Sequence, residues 1–91
     1  MTKIELVREI AAKTGLENKD VLVIVETLMD TIKTSMENGE EVFLRGFGSF
    51  IIIHRADKTA RNISKNTTVI IPAHDIPAFR PAKEFMDQVK G

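Results

Sequence analysis

Apolar residues recur at helical spacing through the first third of the chain. Leu6, Val7, Ile10 and Ala11 share one helix face. Ahead of them Thr2-Lys3-Ile4-Glu5 matches a capping box, in which Thr2 caps the helix and Glu5 reaches back. Gly15 is a good C-terminal stop. A second periodic stretch begins near Glu17 or Asn18 and ends before Gly39. Val21, Val25, Leu28 and Ile32 make one stripe, and Leu22, Met29 and Met36 make another beside it. The β-branched run from Val21 to Val25 argues against helix, but about 20 periodic residues exceed a normal strand, so length decides for helix. Two adjacent stripes are more apolar surface than one short helix covers, which points to a dimer.

After Gly39 the chain reads as strands. Glu41 to Arg45 is one, Gly46 and Gly48 permit a tight turn around Phe47, and Ser49 to His54 opens a second. A basic segment follows, with Arg55, Lys58, Arg61 and Lys65 against the single acid Asp57. Asn62 to Thr68 is turn-rich, and Asn66 tolerates a positive φ. Val69 to Ile71 returns as a third strand, closed by Pro72. Apolar run, basic segment, apolar run predicts a long projecting β-hairpin. The spacing of Arg55, Lys58 and Arg61 also fits one face of a helix at 54–61. Such a helix has only about two turns, which is marginal in water, so the hairpin is favoured. Pro77 and Pro81 punctuate the approach to a short last helix with Phe85, Met86 and Val89 on one face. The predicted order is ααβββα, an α+β fold.

The 91 residues make one small domain with a thin core, and the chain has no cysteine to staple it. Small domains without staples gain core by oligomerising. Acids and a lysine interrupt the first residues, so no signal peptide is visible, and no apolar run approaches transmembrane length. The zero net charge conceals a partition. Residues 1–44 carry −4, residues 45–83 carry +5 and the last eight carry −1. An acidic body with a basic second half predicts an electrostatic footprint confined to one region.

Three pieces in this order and spacing resemble the HU and integration host factor family of bacterial DNA-bending proteins. They are Gly46-Phe47-Gly48-Ser49-Phe50; Arg55, Lys58 and Arg61-Asn62; and Pro77-Ala78-Phe79-Arg80-Pro81 with Lys83. The resemblance covers essentially the whole length. It implies an intertwined dimer, homodimer or heterodimer with a paralogous subunit, with a helical base and a saddle of two three-stranded sheets. One β-arm per subunit enters the minor groove of double-stranded DNA. Residues 1–44 then form the dimerisation base and first strand, 45–76 the saddle and arm, and 77–91 the C-terminal helix. Phe47, Phe50 and Phe79 become dimer-core residues, which coincides with their reading as ordinary core. The implied setting is the cytoplasm, on the nucleoid, with no cofactor, membrane or small-molecule substrate.

The resemblance assigns phosphate neutralisation to Arg55, Lys58, Arg61 and Lys65 along the arm, with Asn62 and Ser64 beside its tip. Lys3, Arg80 and Lys83 clamp the flanking duplex, and Gly46, Gly48 and Ser49 let backbone approach DNA. Arg45 resembles the arginine before Gly-Phe-Gly in β-type integration host factor subunits. One departure matters: the family's tip proline after Arg-Asn is Ile63 here. Isoleucine is itself an apolar wedge used by minor-groove binders, though without proline's fixed φ. Its plain alternative is a surface apolar residue of no consequence. An enzyme is the poorer reading. His54 and His74 have no carboxylate or cysteine partner by spacing, and no phosphate loop, metal-ligand cluster or nucleophile elbow is present. An acidic helical interaction module remains as a third class and leaves the basic arm unexplained.

Overall fold

The computed structural model describes residues 1–62 and 67–91, with side chains described outside 58–69. Helices α1 (Lys3–Thr14) and α2 (Asn18–Glu37) come first. Strands β1 (Val42–Leu44), β2 (Gly48–Arg55), β3 (Lys58–Asn62), β4 (Thr67–Ile71) and β5 (His74–Pro81) follow, and α3 (Lys83–Lys90) closes the chain. The fold is α+β, as the periodicity implies.

The Thr2 hydroxyl oxygen accepts the Glu5 N–H at 3.3 Å, and its O–H donates to the Glu5 carboxylate at 3.2 Å. Glu5 therefore holds the cap through its hydroxyl and not through the backbone. Gly15 ends α1 in the left-handed region, its N–H bonded to the Ala11 carbonyl. Val7 and Ala11 of α1 meet Val21 of α2, flanked by Leu22 and Val25. Among the described residues Val7, Ala11 and Val21 are the buried apolar side chains, while Phe43, Ile24 and Leu28 stay 70%, 57% and 51% exposed. A groove of about 990 Å³ separates α2 from the sheet and is lined by Met29, Ile32, Met36, Phe43, Phe50 and Ile52 among others.

β1, β2 and β5 form an antiparallel sheet in the order β1-β2-β5, and β3 pairs with β4 in a second, two-stranded sheet. The basic segment is therefore a hairpin; 54–55 end β2 and 58–61 lie in β3, which excludes the short helix. Asp57 sits in the gap between β2 and β3, and its Oδ1 accepts the Ala73 N–H from the gap between β4 and β5. The one acid of the basic segment thus ties the two gaps together. The arm makes the subunit long, at 60 × 31 × 28 Å. The radius of gyration is 19.0 Å, against roughly 13 Å for a compact chain of about 100 residues.

Two expectations are corrected here. The return strand β4 does end at Ile71, before Pro72, but a further strand, β5, follows it, and the segment 77–91 is a strand end followed by a helix that starts only at Lys83. β5 accommodates Pro77 and Pro81 because it is an edge strand. The Ile52 N–H points toward β1, where it meets the Glu41 carboxylate at 2.9 Å. Ile52 and its partner Pro77 are thus a non-hydrogen-bonded pair, and the nitrogen of Pro77 faces the open edge, where no donor is needed. Gly48 and Pro81 pair with the same parity.

The second correction concerns Gly48. Of the two turn glycines only Gly46 has a positive φ, +80°, in a turn closed by the Phe47 N–H on the Leu44 carbonyl. Gly48 is required by packing: a Cβ there would lie 2.5 Å from Phe79 Cζ and 2.7 Å from the Arg80 carbonyl oxygen. Gly48→Ala is expected to lower stability by about 1–3 kcal/mol, the usual cost of overpacking, read as a lower denaturant midpoint at constant slope.

Candidate nucleic-acid interface

Gly46, at its positive φ in the Leu44–Phe47 turn, has open space where a Cβ would be. The Ala82 N–H donates to the Phe47 carbonyl at 2.9 Å, which docks the start of α3 against this turn. The result is one shallow surface of about 320 Å³ lined by Arg45, Gly46, Gly48, Ser49, Arg80 and Ala82, among others. Lys83 opens α3 immediately beyond it. Five residues singled out from the sequence, spread over 36 positions, thereby converge on one patch, with Lys83 adjoining. It carries two guanidinium groups and the exposed backbone of the turn, a combination suited to phosphate oxygens.

The arm supplies a second group. Arg55 ends β2 and is exposed. Lys58, Arg61 and Asn62 lie on β3, where the register pairs them with Ile71, Thr68 and Thr67. Their side-chain roles, and those expected of Ile63, Ser64 and Lys65 at the tip, lie outside the described residues. Lys3 stands apart from both groups: its Nζ is 2.9 Å from Glu26 Oε1, half-exposed. Any phosphate must compete with that carboxylate for it.

Phe47, Phe50 and Phe79 lie together, with ring centroids 5.2 Å apart for Phe47–Phe79 and 5.0 Å for Phe50–Phe79. Phe85 of α3, read from the sequence only as part of a helix face, stacks on Phe47 at 5.2 Å with the planes 13° apart. This aromatic cluster locks α3 and β5 to the turn and so fixes Arg45, Arg80 and Lys83 relative to one another. Its members are not sealed: Phe47 remains 47% exposed and Phe79 38%. The histidine reading is also corrected. His54 and Asp75 face each other across β2 and β5, and His54 Nδ1 contacts Asp75 Oδ1. Both are surface residues at the root of the arm, as is His74, whose Nδ1 lies 3.0 Å from the Pro72 carbonyl.

Residues 1–90 match the family described as bacterial DNA-binding protein. The chain belongs to that family. It is 43% identical over 90 residues to an integration host factor subunit beta of Marinobacter nauticus, covering 98% of this chain and 92% of that one. It is 38% identical over 90 residues to the DNA-binding protein HU of Geobacillus stearothermophilus, covering 99% and 100%. In structure it superposes on a chain of an Anabaena HU–DNA cocrystal with a TM-score of 0.90 at 35% identity, covering 98% of this chain and 97% of that one. Among the described residues no helix is long and apolar enough to cross a membrane.

Proposed function

We propose that this protein is an architectural subunit for double-stranded DNA. Two copies, or one copy and a paralogue, form the dimer, and their paired arms enter the minor groove and bend the duplex. Arg55, Lys58, Arg61 and Lys65 neutralise phosphates along the arm, with Asn62 and Ser64 near the base edges. Arg45, Gly46, Ser49, Arg80 and Lys83 hold the flanking duplex on the saddle, and Lys3 joins them when its pair with Glu26 opens. Gly48 lines the same surface, and its missing Cβ, which leaves room for Phe79, also lets its backbone approach DNA. Ile63 is the wedge, inserted between base steps as minor-groove benders insert apolar side chains. Unstacking costs a few kcal/mol per step and is offset by wrapping DNA onto the body. The role is structural and not enzymatic, on the nucleoid in the cytoplasm. Arg45 beside the open backbone of Gly46 adds a modest site preference of the kind a β-type integration host factor subunit has.

The observation that carries this reading is the convergence of Arg45, Gly46, Ser49 and Arg80 on one surface of a chain that also extends a two-stranded arm. End-to-end fluorescence transfer on a duplex of about 35 base pairs, several helical turns long, tests it. Wild type brings the ends together. Ile63→Ala still binds but leaves them further apart. Binding without bending by wild type would make the protein a coating or bridging factor. No binding even at low salt would return the acidic base to prominence as a protein-interaction module.

A further inference from the structure

Ala56 and Asp57 separate β2 from β3, and Pro72 and Ala73 separate β4 from β5. The two gaps face each other, since the last pair below them is Arg55 with His74 and the first pair above is Lys58 with Ile71. The ladder therefore breaks across both strands at one level, and the arm joins the body through two residues of each strand. Such a break is a hinge unless something closes it. Pro72 has a fixed φ and no N–H to offer. His74 Nδ1 lies 3.0 Å from the Pro72 carbonyl, which orders this gap locally without reaching the other strand. The Ala73 N–H donates to Asp57 Oδ1 at 2.5 Å, and among the described residues this is the hydrogen bond that spans the break. The nearby pair of His54 with Asp75 belongs to β2 and β5, below the break, and holds nothing above it. Leverage makes the one spanning bond count. Asn62 lies five residues beyond Asp57 along β3, roughly 17 Å, so each 10° of rotation at the break carries it about 3 Å. An acid is otherwise out of place there, between Arg55 and Lys58 on an arm whose charge attracts phosphate.

We propose that Asp57 is the positioning residue of the arm. Its carboxylate closes the break and aims the two-stranded arm before DNA arrives, so less orientational freedom is lost on binding. The inference deepens the DNA-bending reading and rests on it. Two effects of Asp57 then oppose each other. Its charge repels phosphate, and its bond to Ala73 favours the arm direction that binds. Asparagine separates the two, because its Oδ1 still accepts the Ala73 N–H but carries no charge. Alanine removes both.

The chain has no cysteine, so Thr67→Cys on β4 carries one spin label per subunit. In the free dimer the distance distribution between the two labels is expected to be equally narrow with Asp57 and with Asp57→Asn, and broader with Asp57→Ala. Unlabelled Asp57→Ala is expected to bind duplex about tenfold more weakly per dimer than Asp57→Asn, by the same factor at every salt concentration, since the bond lies within the protein. It also leaves the duplex ends further apart. Thermal melting is expected to be alike in all three, because the bond is exposed and outside the core. Equal widths in the three proteins, or equal affinities of the Asn and Ala variants, overturn the proposal and leave Asp57 as a charge alone, with the DNA-bending reading intact. A ratio between the two variants that changes with salt also overturns it, since the carboxylate then acts through the cations. A melting midpoint lowered only in Asp57→Ala makes the residue merely structural and overturns it too. Absence of wild-type binding at low salt removes the DNA reading itself, and the positioning role with it.

Discussion

Dilution is expected to unfold this protein, and Phe79→Ala to prevent its assembly at ordinary concentrations. Three buried apolar side chains among the described residues cannot offset the conformational entropy of a chain this long. The missing core is on the surface: the groove beside Met29, Ile32, Met36 and Phe50, and the half-exposed rings of Phe47 and Phe79. Filling it with a partner subunit makes folding and association one equilibrium, so the midpoint depends on concentration. Each tenfold increase in protein adds about 1.4 kcal/mol to the dimer, or roughly 3–6 °C in the melting midpoint. Phe79 touches Phe47, Phe50 and Phe85 at once. Its truncation costs about 3–5 kcal/mol per subunit, counted twice in a dimer, which weakens association by on the order of 10⁴-fold or more. Sedimentation over a concentration series, with circular dichroism on the same samples, checks both statements. A wild type that stays folded as a monomer at high dilution contradicts them.

The helices were legible because their signals are local. Thr2 and Gly15 mark the ends of α1, and the stripes of α2 lie within one periodic stretch that outruns the β-branched propensity of Val21 to Val25. The strand β5 was not legible, because proline reads as a breaker unless the edge position and pairing parity of Pro77 and Pro81 are known. Those depend on register, which no short segment encodes. The same holds for His54 and Asp75, 21 residues apart and joined only by the β2–β5 pairing. Phe85 was seen as a helix face but not as a member of the aromatic cluster, since its partner Phe47 lies in a turn on the far side of the sheet sequence. Charge behaved differently. The basic stretch around 45–83 was visible as composition, and the fold needed only to bring Arg45 and Arg80 together for it to become a surface. Asp57 shows the limit of that reading: counted as one negative charge among positives, it is in fact the acceptor that joins the two gaps at the arm root.

Raising monovalent salt from about 50 to about 200 mM is expected to lower duplex affinity by about 10⁴-fold, for a dimer whose two arms neutralise about eight phosphates. The near-zero net charge does not weaken this expectation, because the acids are elsewhere. Within residues 1–44 Lys3, Lys19 and Lys33 already have carboxylate partners in Glu26, Glu17 and Asp30. These exposed pairs contribute little to stability, and they leave the base with no surplus cation field to attract DNA. The footprint therefore belongs to the arm and the saddle rim. Replacing Lys58 and Arg61 by glutamine removes about four phosphate contacts per dimer and flattens the logarithmic slope by about 3.6 if each contact is made. Replacing Lys19 and Lys33 in the base leaves the slope unchanged. An equal response to both pairs of substitutions would show that net charge alone, and not the partition between base and arm, governs binding. A flat salt response in wild type would contradict phosphate contact altogether. Between those outcomes the slope counts the contacts: losses that fall short of about 0.9 per cation identify side chains that reach the groove floor or solvent instead of the backbone.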